Sequence, residues 1–263
     1  MLLRRVITAL CLAAFALVVI FLLPVGGFAL MFGIAAGAGV YEWSGFLHAP
    51  TKAKRIGYVV IYAALIGVIF ANQWLAAELV PVVGVIWLGA LVLVLVYPRG
   101  RSLYTRSWLI GLVGQLLMVG AWSSLVTIRQ MPEGDYWLLW LLVLTTATDV
   151  GAFFSGRRFG RRKLAPALSP GKTWEGALGG MTLASSICLA GLFVFSSWSI
   201  FNAVILTFGL IVMAIFGDLF ESLLKRATGL KDSGGLLPGH GGVLDRIDSI
   251  IAVAPLLAWA LIA

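Results

Sequence analysis

Between Ser222 and Asp248 the chain alternates acids and bases in a glycine-rich setting, with Lys225, Arg226, Lys231, Asp232, Gly234, His240, Gly241, Gly242, Asp245 and Arg246 all inside one short stretch. Such a mixture suits polyphosphate chemistry. Glycines let backbone amides approach phosphate oxygens, lysines and arginines neutralise those oxygens, and carboxylates hold the hard cations that accompany a nucleoside triphosphate. A purely structural loop has no use for Asp218, Asp245 and Asp248 beside one another, because unneutralised carboxylates repel. Asp218 and Glu221, three residues apart, share one face of a helix. A lone His240 would by default be structural, but between glycines and beside Asp245 it reads as a phosphate or carboxylate contact. Magnesium prefers oxygen to its imidazole.

Upstream, a second polar run holds Asp149, Gly156 and Arg157, then Ser169-Pro170-Gly171-Lys172-Thr173-Trp174-Glu175-Gly176. Gly171-Lys172-Thr173 imitates the end of a P-loop. The first glycine of that motif would fall at Pro166, so a Walker A loop is excluded.

The elements that must position these residues belong to a membrane protein. Hydrophobic residues make up 61% of the chain and charged residues 11%, with a mean hydropathy of +1.03, against about 25% charged in a soluble domain. Apolar stretches of spanning length recur at Val6–Leu23, Val25–Leu47, Ile56–Asn72, Leu79–Tyr97, Trp108–Ile128, Tyr136–Ser155, Ala177–Phe195, Ile200–Leu224 and Ile247–Ala263. The expected fold is therefore all-α and polytopic, with about nine transmembrane helices. Arg4 and Arg5 precede a run long enough to be a retained first span rather than a cleaved signal. Glycines at 26, 27, 33, 37 and 39 fit close helix packing in the second segment. Cys11 and Cys188 lie in apolar segments as packing residues.

The net charge of +8 does not point to nucleic acid, because position explains it. With the N-terminus in the cytoplasm, every lysine and arginine except Arg129 falls on the cytoplasmic side, and Arg129 is flanked by Glu133 and Asp135. An N-in, C-out chain follows. In that arrangement Glu42, Asp149, Asp218 and Glu221 each lie late in a segment running toward the cytoplasm, so four costly intramembrane acids converge on one face. For Glu42 alone, the favoured reading is a buried hydrogen-bonding partner. Residues 1–263 read as a single membrane domain in which 1–128 are mainly scaffold spans and 136–263 carry the catalytic motifs. The two longest loops, Gly156–Gly176 and Lys225–Arg246, both face the cytoplasm.

From Ser222 to Asp248 the chain resembles, at every defined position, the signature of the phosphatidate cytidylyltransferase (CDP-diacylglycerol synthase) family. Asp149 to Arg157 and Ser169 to Gly176 resemble the family's other cytoplasmic stretch. Members often read Asp-Thr-Gly-Ala-Tyr where this chain has Asp149-Val150-Gly151-Ala152-Phe153, and a second lysine where Gly171 stands. Those departures remove hydroxyls at Val150 and Phe153 and a charge at Gly171, and leave Lys172 and the aspartates intact.

The resemblance implies transfer of a cytidylyl group from CTP to phosphatidate, giving CDP-diacylglycerol and pyrophosphate. It implies a catalytic set of Asp218, Asp245, Asp248, Lys225, Arg226 and His240, and a substrate-binding set of Lys172, Ser222, Lys231, Asp232, Gly241, Gly242 and Arg246. Metal ligation falls to Asp218, Asp245 and Asp248 with Asp149, the default ion being Mg2+ with room for a second cation. CTP arrives from water and phosphatidate from the bilayer, no nucleic acid is involved, and a homodimer is compatible with the sequence. The expected location is a bacterial inner (plasma) membrane, the site facing the cytoplasm.

Two other classes compete. A secondary transporter would place its acids near the midplane in repeated halves, and no repeat is visible. Another CTP- or CDP-lipid-handling transferase, such as a polyprenol kinase or a CDP-alcohol phosphotransferase, is the nearer rival. The latter needs an Asp-Gly-x-x-Ala-Arg stretch that this chain does not contain.

Overall fold

The structure is a computed structural model that describes residues 2–48, 50–72, 74–196, 198–236 and 241–262. Its helices are α1 (Leu2–Leu22), α2 (Val25–Trp43, continued by a 3-10 turn Ser44–Phe46), α3 (Lys52–Ala71), α4 (Trp74–Val96) and the single turn α5 (Arg101–Tyr104). They continue with α6 (Ser107–Gln130), α7 (Gly134–Phe159), α8 (Trp174–Phe195), α9 (Ile200–Ala227) and α10 (Leu244–Ile262). Side-chain caps set several starts. Thr51 accepts from the Lys54 amide at 3.3 Å, Thr173 from Gly176 at 3.1 Å and Ser199 from Asn202 at 3.3 Å, each satisfying an amide that the first helical turn leaves open.

Seven helices among the described residues are long and apolar enough to cross a membrane: Val25–Phe46, α3, α4, α6, α7, Trp174–Val194 and α9. The expectation of about nine also counted α1 and α10. The described side chains of α1 form a shorter apolar helix, Cys11–Leu22, and α10 opens with three charged residues, Asp245, Arg246 and Asp248, more than a plain apolar span carries.

Packing explains how α10 tolerates those charges. It lies against α9, α6, α4, α2 and α7, and Ala252, Val253, Ala254, Leu257 and Ala258 are wholly buried. The helix bearing two of the expected catalytic aspartates is thus the axis of the bundle, while α3 and α4 expose Val60, Val85, Leu88 and Leu95 outward, as lipid-facing surfaces do.

Small residues let the site helices meet. A Cβ built on Gly217 of α9 would stand 2.7 Å from the Ala252 Cβ and 2.9 Å from the Asp248 carbonyl oxygen on α10. Only glycine allows that approach, and it sets Asp218 beside Asp248. The antiparallel pair α7 and α8 meets along a similar seam, Gly151 against Gly179 and Gly180.

The stretch expected as a plain loop, Gly156–Gly176, is more ordered than that. Helix α7 runs on to Phe159, and strands β1 (Lys163–Ala165) and β2 (Ser169–Thr173) form an antiparallel hairpin with Lys163 opposite Thr173 and Ala165 opposite Ser169. Glu175 ties it down, accepting from the Arg161 and Arg162 amides at 3.0 and 3.2 Å, while the Trp174 amide donates to the Arg162 carbonyl at 2.9 Å. Short polar strands with a proline and glycines give too little periodicity to be read in advance.

Candidate active site

The last three turns of α9 carry Asp218, Glu221, Ser222, Lys225 and Arg226, and the helical period turns Asp218, Glu221 and Lys225 to one face. That face meets the first turns of α10. Carboxylate oxygens of Asp218, Glu221 and Asp248 come within 4.8 Å of one another. Glu221 is buried, and its Oε1 has no hydrogen-bond partner among the described residues. A buried carboxylate oxygen left unpaired is costly, and beside two further carboxylates it is the donor set that a hard divalent cation requires.

Cations surround the cluster. The Lys225 ammonium donates to Glu221 Oε2 and Asp245 Oδ1, each at 2.8 Å. From β2, Lys172 makes an ion pair with Asp218. Arg226 reaches the hairpin, its Nε donating to the Leu168 carbonyl at 3.1 Å. Lys231, Asp232 and Arg246 are exposed near the same end, and Ser222 is buried on α9.

Asp245, expected among the metal ligands, lies outside this cluster of three, and both its oxygens are engaged by other groups. While Lys225 takes one oxygen, the other accepts from the Gly242 amide at 2.8 Å and the Ser233 amide at 3.3 Å. Its carboxylate thus fastens the glycine-rich segment to α10. The third acid of the cluster is Glu221, not among the expected ligands, for which the i, i+3 spacing to Asp218 was the available signal.

Asp149 faces a cleft of about 690 Å3 whose walls include Lys172, Asp218, Arg157, Phe153 and Ile215. Charged and apolar groups both line it. The cleft therefore suits a ligand with an ionic head and a hydrocarbon body. An apolar groove of about 760 Å3 between α2 and α3 holds no charged side chain and offers no comparable chemistry. His240, like Leu237 and Pro238, lies outside the described residues.

Glu42 was not among the expected site residues. From α2 it reaches the N-terminus of α10, where its Oε2 accepts from the Leu244 amide at 2.9 Å. Nothing near Glu42 in sequence marks this contact, because its partners lie about two hundred positions away.

Residues 3–263 match the model of the cytidylyltransferase family. The chain belongs to that family. It is 40% identical over 267 residues to a phosphatidate cytidylyltransferase of Pseudomonas aeruginosa, covering 99% of this chain and 98% of that protein. It is 37% identical to the phosphatidate cytidylyltransferase of Haemophilus influenzae, with 98% of each chain covered. A Helicobacter pylori protein of the same name is 51% identical over 117 residues, 43% of this chain and 42% of that one. In this member of the family, a cluster of three acids bordered by lysines lies beside a cleft lined by both charged and apolar groups.

Proposed function

We propose that this chain transfers the cytidylyl group of CTP to phosphatidate, forming CDP-diacylglycerol and releasing pyrophosphate. The observation that carries the reading is similarity along nearly the whole chain to proteins named for that activity. The site chemistry supports it. A phosphatidate phosphate oxygen is already anionic, so it attacks the α-phosphorus of CTP without a strong general base; the bond to the β-phosphate breaks and pyrophosphate leaves.

Asp218, Glu221 and Asp248 are assigned to holding a divalent cation, with Asp149 on the adjoining cleft wall. Magnesium is the proposed ion, and when bound it neutralises phosphate charge and aligns nucleophile with leaving group. Lys172, Arg226, Lys231 and Arg246 supply positive charge for the phosphates, and Ser222 and Asp232 lie in the same substrate-facing region. Gly241 and Gly242 shape the backbone of the substrate-facing segment, and His240 retains its proposed orienting role. Asp245 and Lys225 are assigned to holding the acid cluster and the glycine-rich segment in register.

The proposed setting is nine spans with the N-terminus and the site on the cytoplasmic side of a bacterial inner membrane, residues 1–128 serving as scaffold and 136–263 as the catalytic part. The distribution of basic residues supports it. Arg129, the exception, is neutralised by Asp135 at 2.6 Å, at the end of α7 opposite the hairpin. Purified protein in detergent, given magnesium, labelled CTP and phosphatidate, should yield CDP-diacylglycerol and pyrophosphate in equal amounts. Failure to form the liponucleotide, or transfer to a different lipid acceptor in its place, would overturn the proposal.

A further inference from the structure

We propose that Glu42, far in sequence from the site stretches, is a positioning residue that clamps the glycine-rich segment onto α10. Its side chain is 3% exposed and sits in the last turn of α2. A carboxylate there faces the negative end of its own helix dipole. The contact that offsets this is at the positive end of another helix. The Leu244 amide, at the start of α10, donates to Oε2 at 2.9 Å, and the Leu236 amide donates to Oε1 at a long 3.5 Å. Among the described residues Glu42 makes no ion pair, so amides alone meet its charge.

Two glycines back onto this carboxylate. A Cβ built on Gly242 would lie 2.5 Å from Glu42 Oε2, and one built on Gly234 would overlap the same group. The segment is thus folded around Glu42, with glycine where any side chain would push the carboxylate away. Glu42 itself stands on a firm post. Next to it, the Trp43 indole donates to the Ile110 carbonyl at 3.0 Å, and its ring packs on Phe220 of α9 with centroids 6.4 Å apart.

From the other side Asp245 grips the same segment through the amides of Gly242 and Ser233, and Lys225 joins Asp245 to Glu221 in the acid cluster. Glu42 therefore fixes, through this chain of contacts, the segment that the CTP-dependent reading places over the nucleotide phosphates, and its kinetic consequences rest on that reading.

The test uses E42Q and E42D in the full chain. Glutamine keeps the shape but turns a donor toward backbone donors, leaving a buried amide unpaired, so kcat/KM for CTP should fall by about tenfold or more. KM for CTP should rise more than kcat falls. E42D, which keeps the charge one methylene short, should recover part of the loss. Hydrogen exchange, which needs no substrate, should quicken at Gly234–Leu236 and Gly242–Leu244 while α6 and α8 keep their protection. Wild-type kinetics with unchanged exchange would overturn the clamp. So would uniformly faster exchange through the bundle with a matching loss of thermal stability, the mark of a merely structural role. Should E42Q not fold, the E42D exchange pattern decides by the same criteria. If the wild-type protein makes no CDP-diacylglycerol, the reaction assignment fails while the exchange experiment still judges the clamp.

Discussion

Lys225 and Asp245 are joined at 2.8 Å across the interface of α9 and α10, and the same ammonium is bonded at 2.8 Å to Glu221. One cation therefore separates two carboxylates that would otherwise face each other in a poorly hydrated place. It also links the metal-binding candidates to the glycine-rich segment that Asp245 holds.

Lys225→Met should expose that dependence. Removing one partner from a largely buried ion pair leaves the other charged and unpaired, a loss of about 3–5 kcal/mol in well-buried cases. The thermal midpoint in detergent should drop clearly, and CDP-diacylglycerol formation should fall by roughly two orders of magnitude or more. Lys225→Arg keeps the charge and should be milder in both measurements. Near-normal stability and turnover in the Met variant would show that the pair is dispensable.

Gly217 gives a purely steric prediction. An alanine there must push α10 back from Ala252 and the Asp248 carbonyl, and overpacking of this kind costs about 1–3 kcal/mol. Thermal stability and activity should fall together, since the same displacement parts Asp218 from Asp248. Gly209, on the same helix with nothing within 4 Å of an added Cβ, is the control. Gly209→Ala should be neutral or stabilise by up to about 1 kcal/mol. Equal behaviour of the two variants would count against the close-approach account.

Topology has its own test. A reporter fused after Ala263 should be active outside the cytoplasm, and one inserted near Gly160 should be active inside it, because the basic residues distribute that way. Swapped reporters would overturn the orientation and place the acid cluster on the other side of the membrane.

The sequence made the membrane class, most spans and the polar C-terminal half legible, since hydropathy and intramembrane charge are local properties. Asp218 beside Asp248 could be anticipated from composition, and the structure does bring them together. Glu42 is the buried hydrogen-bonding partner it was read as, but its partners could not be named. Its partners are backbone amides, and which amides meet which carboxylate depends on how α2 is seated against α10. The exchange of Asp245 for Glu221 in the acid cluster has a similar cause. Lys225 holds both carboxylates at 2.8 Å, but the Gly242 and Ser233 amides take the second oxygen of Asp245, while that of Glu221 has no hydrogen-bond partner among the described residues. The hairpin of β1 and β2 escaped for want of periodicity, although Glu175, which holds it, stood in a stretch already singled out.

The last prediction separates the two aspartates at the start of α10. Asp248 points into the cluster with Asp218 and Glu221, whereas Asp245 is engaged by Lys225, Gly242 and Ser233. Asn in place of Asp keeps size and part of the hydrogen bonding but removes the charge on which cation binding depends. In Asp248→Asn the magnesium concentration for half-maximal activity should therefore rise by about tenfold or more, with kcat lowered by about two orders of magnitude at saturation. Glu221→Gln should shift the magnesium curve in the same direction. Asp245→Asn should behave otherwise: its amide cannot hold Lys225 as a carboxylate does, so the glycine-rich segment loosens and KM for CTP rises, while the half-saturating magnesium stays within about twofold of wild type. Each variant is titrated with magnesium at fixed CTP and with CTP at saturating magnesium, alongside its thermal midpoint in detergent. A large magnesium shift in Asp245→Asn, with none in Asp248→Asn, would return Asp245 to the ligand set and remove Asp248 from it.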